Sequence, residues 1–227
     1  MTLQEFSLEF DLMYNNISSN QAPGLTEYEK SVFLTQAQEA LVLDLYKGVT
    51  GDSFETTEEV TRYLNTLVST KTNISKQDNT VISIEGPTVN RNQYYIDLPD
   101  DLLFITYHHI IGDDGSIIEL VPTKQEFLSK DLKNPFRGPK STKVLCISEN
   151  NKLYLYGSEN LKTSIKVYFK YIRKPLPIIL DKTDGFTING RPNDSDVNTT
   201  FDCELPESLH RQILIRAVQL AKTVWQS

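Results

Sequence analysis

The segment HHIIGDDG, residues 108–115, places two imidazoles, His108 and His109, just ahead of two carboxylates, Asp113 and Asp114. Imidazole and carboxylate ligands with one position open to water are what a metal-assisted hydrolase needs. Strand geometry works against that reading. Neighbouring residues of a strand point to opposite faces, so both histidines cannot reach one ion. Asp-Asp-Gly is also ordinary hairpin-turn composition. The stretches DKTDG (181–185) and NDSD (193–196) lack the acid spacing and closing glutamate of a calcium loop. Asp100 and Asp101, after Leu98-Pro99, read as helix N-terminal capping residues rather than an acid–base pair. Arg173 and Lys174 read as the end of a strand rather than an anion site. There is no G-x-S-x-G motif and no phosphate-cradling glycine loop. No catalytic residue, metal site or cofactor is expected.

The third histidine, His210, sits in CELPESLHRQILIRAVQLAK, residues 203–222, which reads as a short strand, a proline and a helix. On a helical wheel Leu209, Ile213, Ala217, Leu220, Ala221 and Val224 share one sector, which Leu214, Val218 and Trp225 extend to about half the circumference. Pro206 and Glu207 suit a first turn. His210 falls inside the apolar sector, and only Glu207, at its edge, supplies a carboxylate at helical spacing. That position fits a packed or interface histidine rather than a general base. Ile215 interrupts the polar side. So wide a stripe predicts a helix covered on two sides.

The elements that must carry these residues divide by position. LQEFSLEFDLMYN predicts a helix over residues 3–15, with Thr2 and Glu5 at capping-box spacing and Leu3, Phe6, Phe10, Met13 and Ile17 as its face. A second helix starts at another capping box, Thr26 and Glu29, and stops at Gly48. It has two apolar faces: Phe33, Leu34, Ala37, Ala40, Leu41 and Leu45, and opposite them Tyr28, Val32, Leu43 and Tyr46. Either the first helix or a neighbouring subunit covers the second face. A third helix is expected at about 55–68 on Val60, Tyr63, Leu64 and Leu67. From residue 72 the pattern turns to short β-branched and aromatic runs: VISIEG, NQYYIDLP, LFITYHHII, SIIELVPT, KVLCISEN, KLYLYG and TSIKVYFKYIRKP. Turns of Asp-Gly and Asn-Asn type join two pairs of them, and one helical insert, TKQEFLSKDLKNPF, interrupts the series. Residues 181–200 form a long polar loop. The expected organisation is an α+β protein: a helical part at 1–70, a β-rich part at 71–205, and a closing helix at 206–227 that packs back on the first helices.

Composition is that of a globular protein, with 227 residues, 39% hydrophobic, and a formal net charge of −7. That charge argues against a general nucleic-acid-binding surface. The acidic start MTLQEFSLEFD is unlike a secretory signal, and no run suits a membrane span. The isolated Cys146 and Cys203 are expected as free buried thiols in a reducing cytoplasm.

Three pieces carry a resemblance to a known family. YIDLPDDLLFI (95–105), VYFKYIRKPLPIIL (167–180) and FDCELPESLHRQILIRAVQLAK (201–222) resemble segments of the head–tail connector, or adaptor, ring proteins of tailed bacteriophages. That group includes tail tubular proteins of short-tailed phages and ring proteins of crAss-like gut phages. EFDLMYNN and LTEYEKSVFLTQAQEALV are similar to helical starts of crAss-like virion proteins. The resemblance implies a helical bundle with an inserted antiparallel β-sandwich or barrel. It also implies a closed ring, commonly of twelve copies, at the head–tail junction of the virion. The expected partners are other copies of the chain, the portal protein and further tail or ring proteins, with genomic DNA passing through non-specifically and no membrane contact. The candidate subunit-interface residues are then Tyr28, Val32, Leu43, Tyr46, His210 and Ile215. Two other readings stand beside this one: a tail-fibre or adhesin-like host-binding module, and a metal-assisted hydrolase built on His108 or His109 with Asp113.

Overall fold

The computed structural model describes residues 1–17, 24–49, 58, 61–74, 76–78, 93–112, 115–157, 165–180 and 202–226. In chain order the elements are α1 (Leu3–Ile17), α2 (Glu27–Val49), β1 (Val68–Ile74), β2 (Lys76–Asp78), β3 (Gln93–Asp97), β4 (Leu102–Ile111), β5 (Ile117–Pro122), α3 (Gln125–Lys133), β6 (Lys143–Glu149), β7 (Lys152–Tyr156), β8 (Lys166–Arg173) and α4 (Glu207–Gln226). They form two units, Met1–Leu67 with Lys174–Ser227, and Val68–Arg173.

In the helical unit both capping boxes close reciprocally. Thr2 N–H donates to Glu5 Oε2 at 2.8 Å and Glu5 N–H to Thr2 Oγ1 at 3.3 Å. Thr26 and Glu29 repeat the pattern at the same two distances. Each box satisfies donors that a helix start leaves without intrahelical partners. Phe6, Phe10 and Tyr14, four residues apart, bury one side of α1. α4 packs against both α1 and α2 and buries Leu209, His210, Ile213, Leu214, Ala217, Val218 and Ala221, much as the wheel requires. Val224 departs from it, at 65% exposed. Asp202–Pro206, expected to include a short strand, pairs with none, and Pro206 accepts the Leu209 N–H as the helix begins.

The buried face of α2 differs from both expected faces. Leu34, Ala37 and Leu41 are core, but so are Ser31, Thr35, Gln38 and Val42. The polar three receive residues 174–180, PLPIIL with its preceding lysine, as an extended strap. Ile178 N–H donates to Thr35 Oγ1 at 3.1 Å and Leu180 N–H to Ser31 Oγ at 3.0 Å, while Gln38 Nε2 donates to the Leu176 carbonyl at 2.9 Å. Leu176 N–H donates to Glu204 Oε2 at 2.7 Å. Pro175 and Pro177 bring no N–H to be satisfied and resist helix. The expected β-rich part ran to 205, but the last strand of the sheet ends at Arg173 and the strap, with a single β-bridge at Ile179, groups with the helices.

In the β unit the strand order is β1-β8-β4-β5-β6-β7-β3-β2. The two edge strands, β1 and β2, are consecutive in the chain, with only residue 75 between them. The sheet must therefore curl until its edges approach, and Asn73 Nδ2 of β1 reaches the Asp97 carbonyl of β3 at 2.9 Å. Pairing is antiparallel except for β5–β6, which is parallel. Parallel neighbours need a crossover, and the helical insert, α3, supplies it. The inside is filled by alternate residues, such as Tyr94, Ile96, Leu153, Leu155, Val167 and Phe169. α3 lays Leu128 and Leu132 over Leu145, Ile147 and Tyr156 on the outside. β6 is thus covered on both faces, which explains its unbroken apolar run Val144-Leu145-Cys146-Ile147.

Both expected hairpins form. Asn150 and Asn151 take φ of 51° and 59° between β6 and β7, as a two-residue primed turn requires. Gly115 takes φ 80° between β4 and β5, which pair from His109↔Glu119 to Ile111↔Ile117. The third helix ends in a 3₁₀ turn at Asn65–Leu67, and β1 begins at Val68, where VSTKTNI gives no apolar alternation. Val60, VISIEG and the 181–200 loop lie outside the described residues. Asp100 and Asp101 cap no helix, because β4 follows at once. Leu102 N–H closes a tight turn on the Pro99 carbonyl, Asp100 accepts from Asn151 Nδ2 at 3.0 Å, and Asp101 from Tyr171 Oη at 3.4 Å.

Thr35→Val keeps the shape of a buried side chain but removes the oxygen that serves the Ile178 backbone. The expected loss is about 1–3 kcal/mol of unfolding free energy, measured by urea denaturation.

Candidate functional site

Strand register settles the histidine pair. His109 opposes Tyr168 and His108 opposes Phe169 across β4 and β8, so the two rings lie on opposite sides of the sheet. The His109 ring packs at a tilt against those of Tyr107 and Tyr168, with centroids at 5.2 and 4.9 Å. His108 Nε2 instead lies 3.5 Å from Cys146 Sγ. A nucleophilic cysteine needs a lowered pKa and a basic imidazole. Here burial pushes the Cys146 thiol up to about 12. Burial, with the neighbouring His109, lowers His108. The pair is a neutral contact in the sheet interior. Cys203 is also a free thiol, raised by burial to about 11. Asp113 and Asp114 lie outside the described residues. Among the described residues no group of three or more His, Cys, Asp or Glu could hold a metal ion.

His210 is 5% exposed and tied to its own chain. Its Nε2 lies 2.8 Å from the Leu205 carbonyl and its Nδ1 3.0 Å from the Met1 ammonium. A carbonyl only accepts and an ammonium only donates, so the assigned tautomer carries its proton on Nε2. Phe6 packs on the ring at 5.3 Å. Nδ1 links α4 to the start of α1 and Nε2 ties the ring to the turn ahead of α4, which leaves neither nitrogen for a substrate.

A third cluster escaped the sequence reading. Lys30 of α2 is 2% exposed, with Nζ 2.7 Å from Asp11 Oδ2, 2.9 Å from Glu27 Oε1 and 3.2 Å from Ser7 Oγ. Serine beside lysine is one hydrolase arrangement, but it needs a neutral amine to accept the serine proton. Burial works toward that state. The hydrogen bonds and charges of Asp11 and Glu27 outweigh it, and the Lys30 pKa is raised. Ser7 in turn donates to Glu27 at 2.8 Å. The cluster is an ion-pair joint between α1 and α2. Its one sequence signal was the spacing of Ser7 with Asp11 and of Glu27 with Lys30, a helical turn apart in each case.

What remains is surface. Tyr28, Val32, Leu43 and Tyr46 are half-buried on α2, and Ile215 is 44% exposed on α4. Beside Leu43 and Ile215, the Asp44–Arg216 ion pair holds α2 to α4. Leu8 and Leu12 on α1 and Phe136 after α3 are more exposed than any of these, at 65%, 63% and 83%. Charge is segregated as well. The helical unit has nine Lys and Arg against eighteen Asp and Glu, net −9, whereas the β unit has fourteen against twelve, net +2. Large exposed apolar groups and unequal charge are properties of contact surfaces, not of a reaction centre.

Comparison with known proteins points the same way. A family model described as phage tail ring protein 3/4 matches residues 1–227. Ring protein 3 of Bacteroides phage crAss001 is 39% identical over 234 residues, covering 97% of this chain and 95% of that protein. Ring protein 4/5 of the same phage is 33% identical over 241 residues, covering 100% of this chain and 94% of that protein.

The Lys30 joint makes a stability prediction with a definite sign. A raised folded-state pKa contributes stability that is complete below the ordinary lysine value and is lost as pH rises through the folded value. Lys30→Met is expected to lose about 2 kcal/mol at pH 7, because two carboxylates are left facing each other without their cation. Its unfolding free energy should also fall less steeply than that of the parent chain above pH 10.5, the ordinary lysine value.

Proposed function

The chain belongs to the phage tail ring protein 3/4 family of crAss-like phages, and from that premise we propose that it docks as a closed ring between portal and tail and surrounds the DNA passage. Membership makes it a structural, non-enzymatic component of the virion. The match of the family along the whole chain carries the reading. Twelve copies in cyclic symmetry are the proposed stoichiometry, with the portal and other tail or ring proteins as axial neighbours.

The physical features support this assignment. A ring contact joins two different faces of one subunit, since a head-to-tail interface does not use the same patch twice. The half-buried stripe Tyr28, Val32, Leu43 and Tyr46 of α2, with Ile215 of α4, is proposed as part of one such face. His210, the remaining candidate interface residue, is enclosed by Met1, Phe6 and Leu205 of its own chain. The net charge of −7 suits a passage through which a polyanion slides, because tight DNA binding requires clustered cations to replace its counterions.

Native mass spectrometry and electron microscopy of the full chain, with and without the portal protein, test the reading. The expected outcome is one closed cyclic species of twelve subunits. A chain that stays monomeric at high concentration, with portal present, would refute it. Ile215→Asp, at an exposed position, is expected to lower ring yield while helical circular dichroism stays at the parent value.

A further inference from the structure

The most exposed large apolar side chain described, Phe136 at 83%, stands on a turn built to hold it. α3 is anchored through Leu128 and Leu132. Its C-cap, Asn134, then accepts from Phe136 N–H at 2.9 Å and Arg137 N–H at 3.3 Å through Oδ1, and its carbonyl accepts from Gly138 N–H at 2.7 Å. A Cβ on Gly138 would lie 2.8 Å from that carbonyl oxygen, so the glycine lets the turn close. The backbone that carries the ring is therefore fixed in advance, which lowers the ordering cost of using it as an interface anchor. Its surroundings are basic. Residues 124–143 contain six Lys and Arg against two acids, net +4, with Lys133, Arg137 and Lys140 exposed beside the ring in sequence.

A matching surface exists on the helical unit. Leu8 and Leu12, one turn apart on the side of α1 away from Phe6 and Phe10, are exposed, and Glu5 and Glu9 flank them. One face is an aromatic knob among cations, and the other is an apolar ridge among carboxylates. They are complementary in both polarity and charge, and they are different faces of one chain, as a head-to-tail contact requires. We propose that Phe136 and its basic turn on one copy seat against the Leu8–Leu12 face of α1 on the next copy. The inference rests on the ring assembly proposed above and names two surfaces within it.

The test is site-specific cross-linking in rings of the full chain. Phe136 is replaced by benzoylphenylalanine, and isotopically light and heavy copies are mixed. A cross-link between a light and a heavy copy, on the peptide containing Leu8 and Leu12, is the expected result. Phe136→Asp should reduce ring assembly about tenfold or more at unchanged thermal midpoint, since the ring is solvent-exposed in the single chain. Arg137→Glu should weaken assembly, and adding Glu9→Arg in the same chain should restore it. Cross-links to another segment, within one copy or to a different virion protein would overturn the inference and leave the ring itself standing. So would normal ring yield from Phe136→Asp. A parent chain that forms no ring would instead overturn the assembly reading.

Discussion

The helical unit depends on one side-chain-to-backbone contact, the polar stripe of α2 that receives residues 174–180. Ser31, Thr35 and Gln38 lie on one side of the helix, and their partners are 138 to 149 residues away in the chain. The β unit is inserted between the two parts of the helical unit, so α4 reaches α1 and α2 only if the chain returns through that strap. Apart from one bridge at Ile179 its backbone groups join no strand ladder, and an unpaired buried amide or carbonyl costs about as much as a lost hydrogen bond. The three hydroxyl and amide side chains satisfy that need, and the prolines remove two donors that would add to it.

A related economy governs the β unit. A sheet with free edges invites pairing with other chains. Placing consecutive strands, β1 and β2, at opposite ends of the strand order bends the sheet and brings its two edges toward each other. β1 is polar and largely exposed, as suits an edge. The parallel β5–β6 step then places α3 outside the sheet, where it covers β6 and presents Phe136.

Groups that resemble catalytic machinery serve packing. The same two factors, burial and pairing, explain Cys146, His108, Lys30 and His210. Burial without a charge partner leaves the thiol protonated, and burial between two carboxylates keeps the lysine charged. For Cys146 and Lys30 the protonation state is the wrong one for nucleophilic or general-base chemistry. What the molecule offers to its surroundings is unevenly charged surface with exposed apolar side chains, and a ring protein works through contacts of that kind.

Features decided by neighbours close in sequence were legible beforehand. The two capping boxes, the Asn150-Asn151 turn, the stripe of α4 and the opposed directions of His108 and His109 each depend on backbone geometry over a few residues. The mixed α+β character and the family resemblance were legible for the same reason, since both are patterns along the chain. Other features were decided only by the tertiary structure. Ser31, Thr35 and Gln38 are buried because a distant strap needs their hydrogen bonds, and β1 is a strand because β8 supplies its ladder. Asp100 and Asp101 flank a strand rather than a helix because β3 and β4 both belong to the same curled sheet. A polar side chain carries no local mark of a partner more than a hundred residues away, so burial of that kind is settled only when the chain has folded.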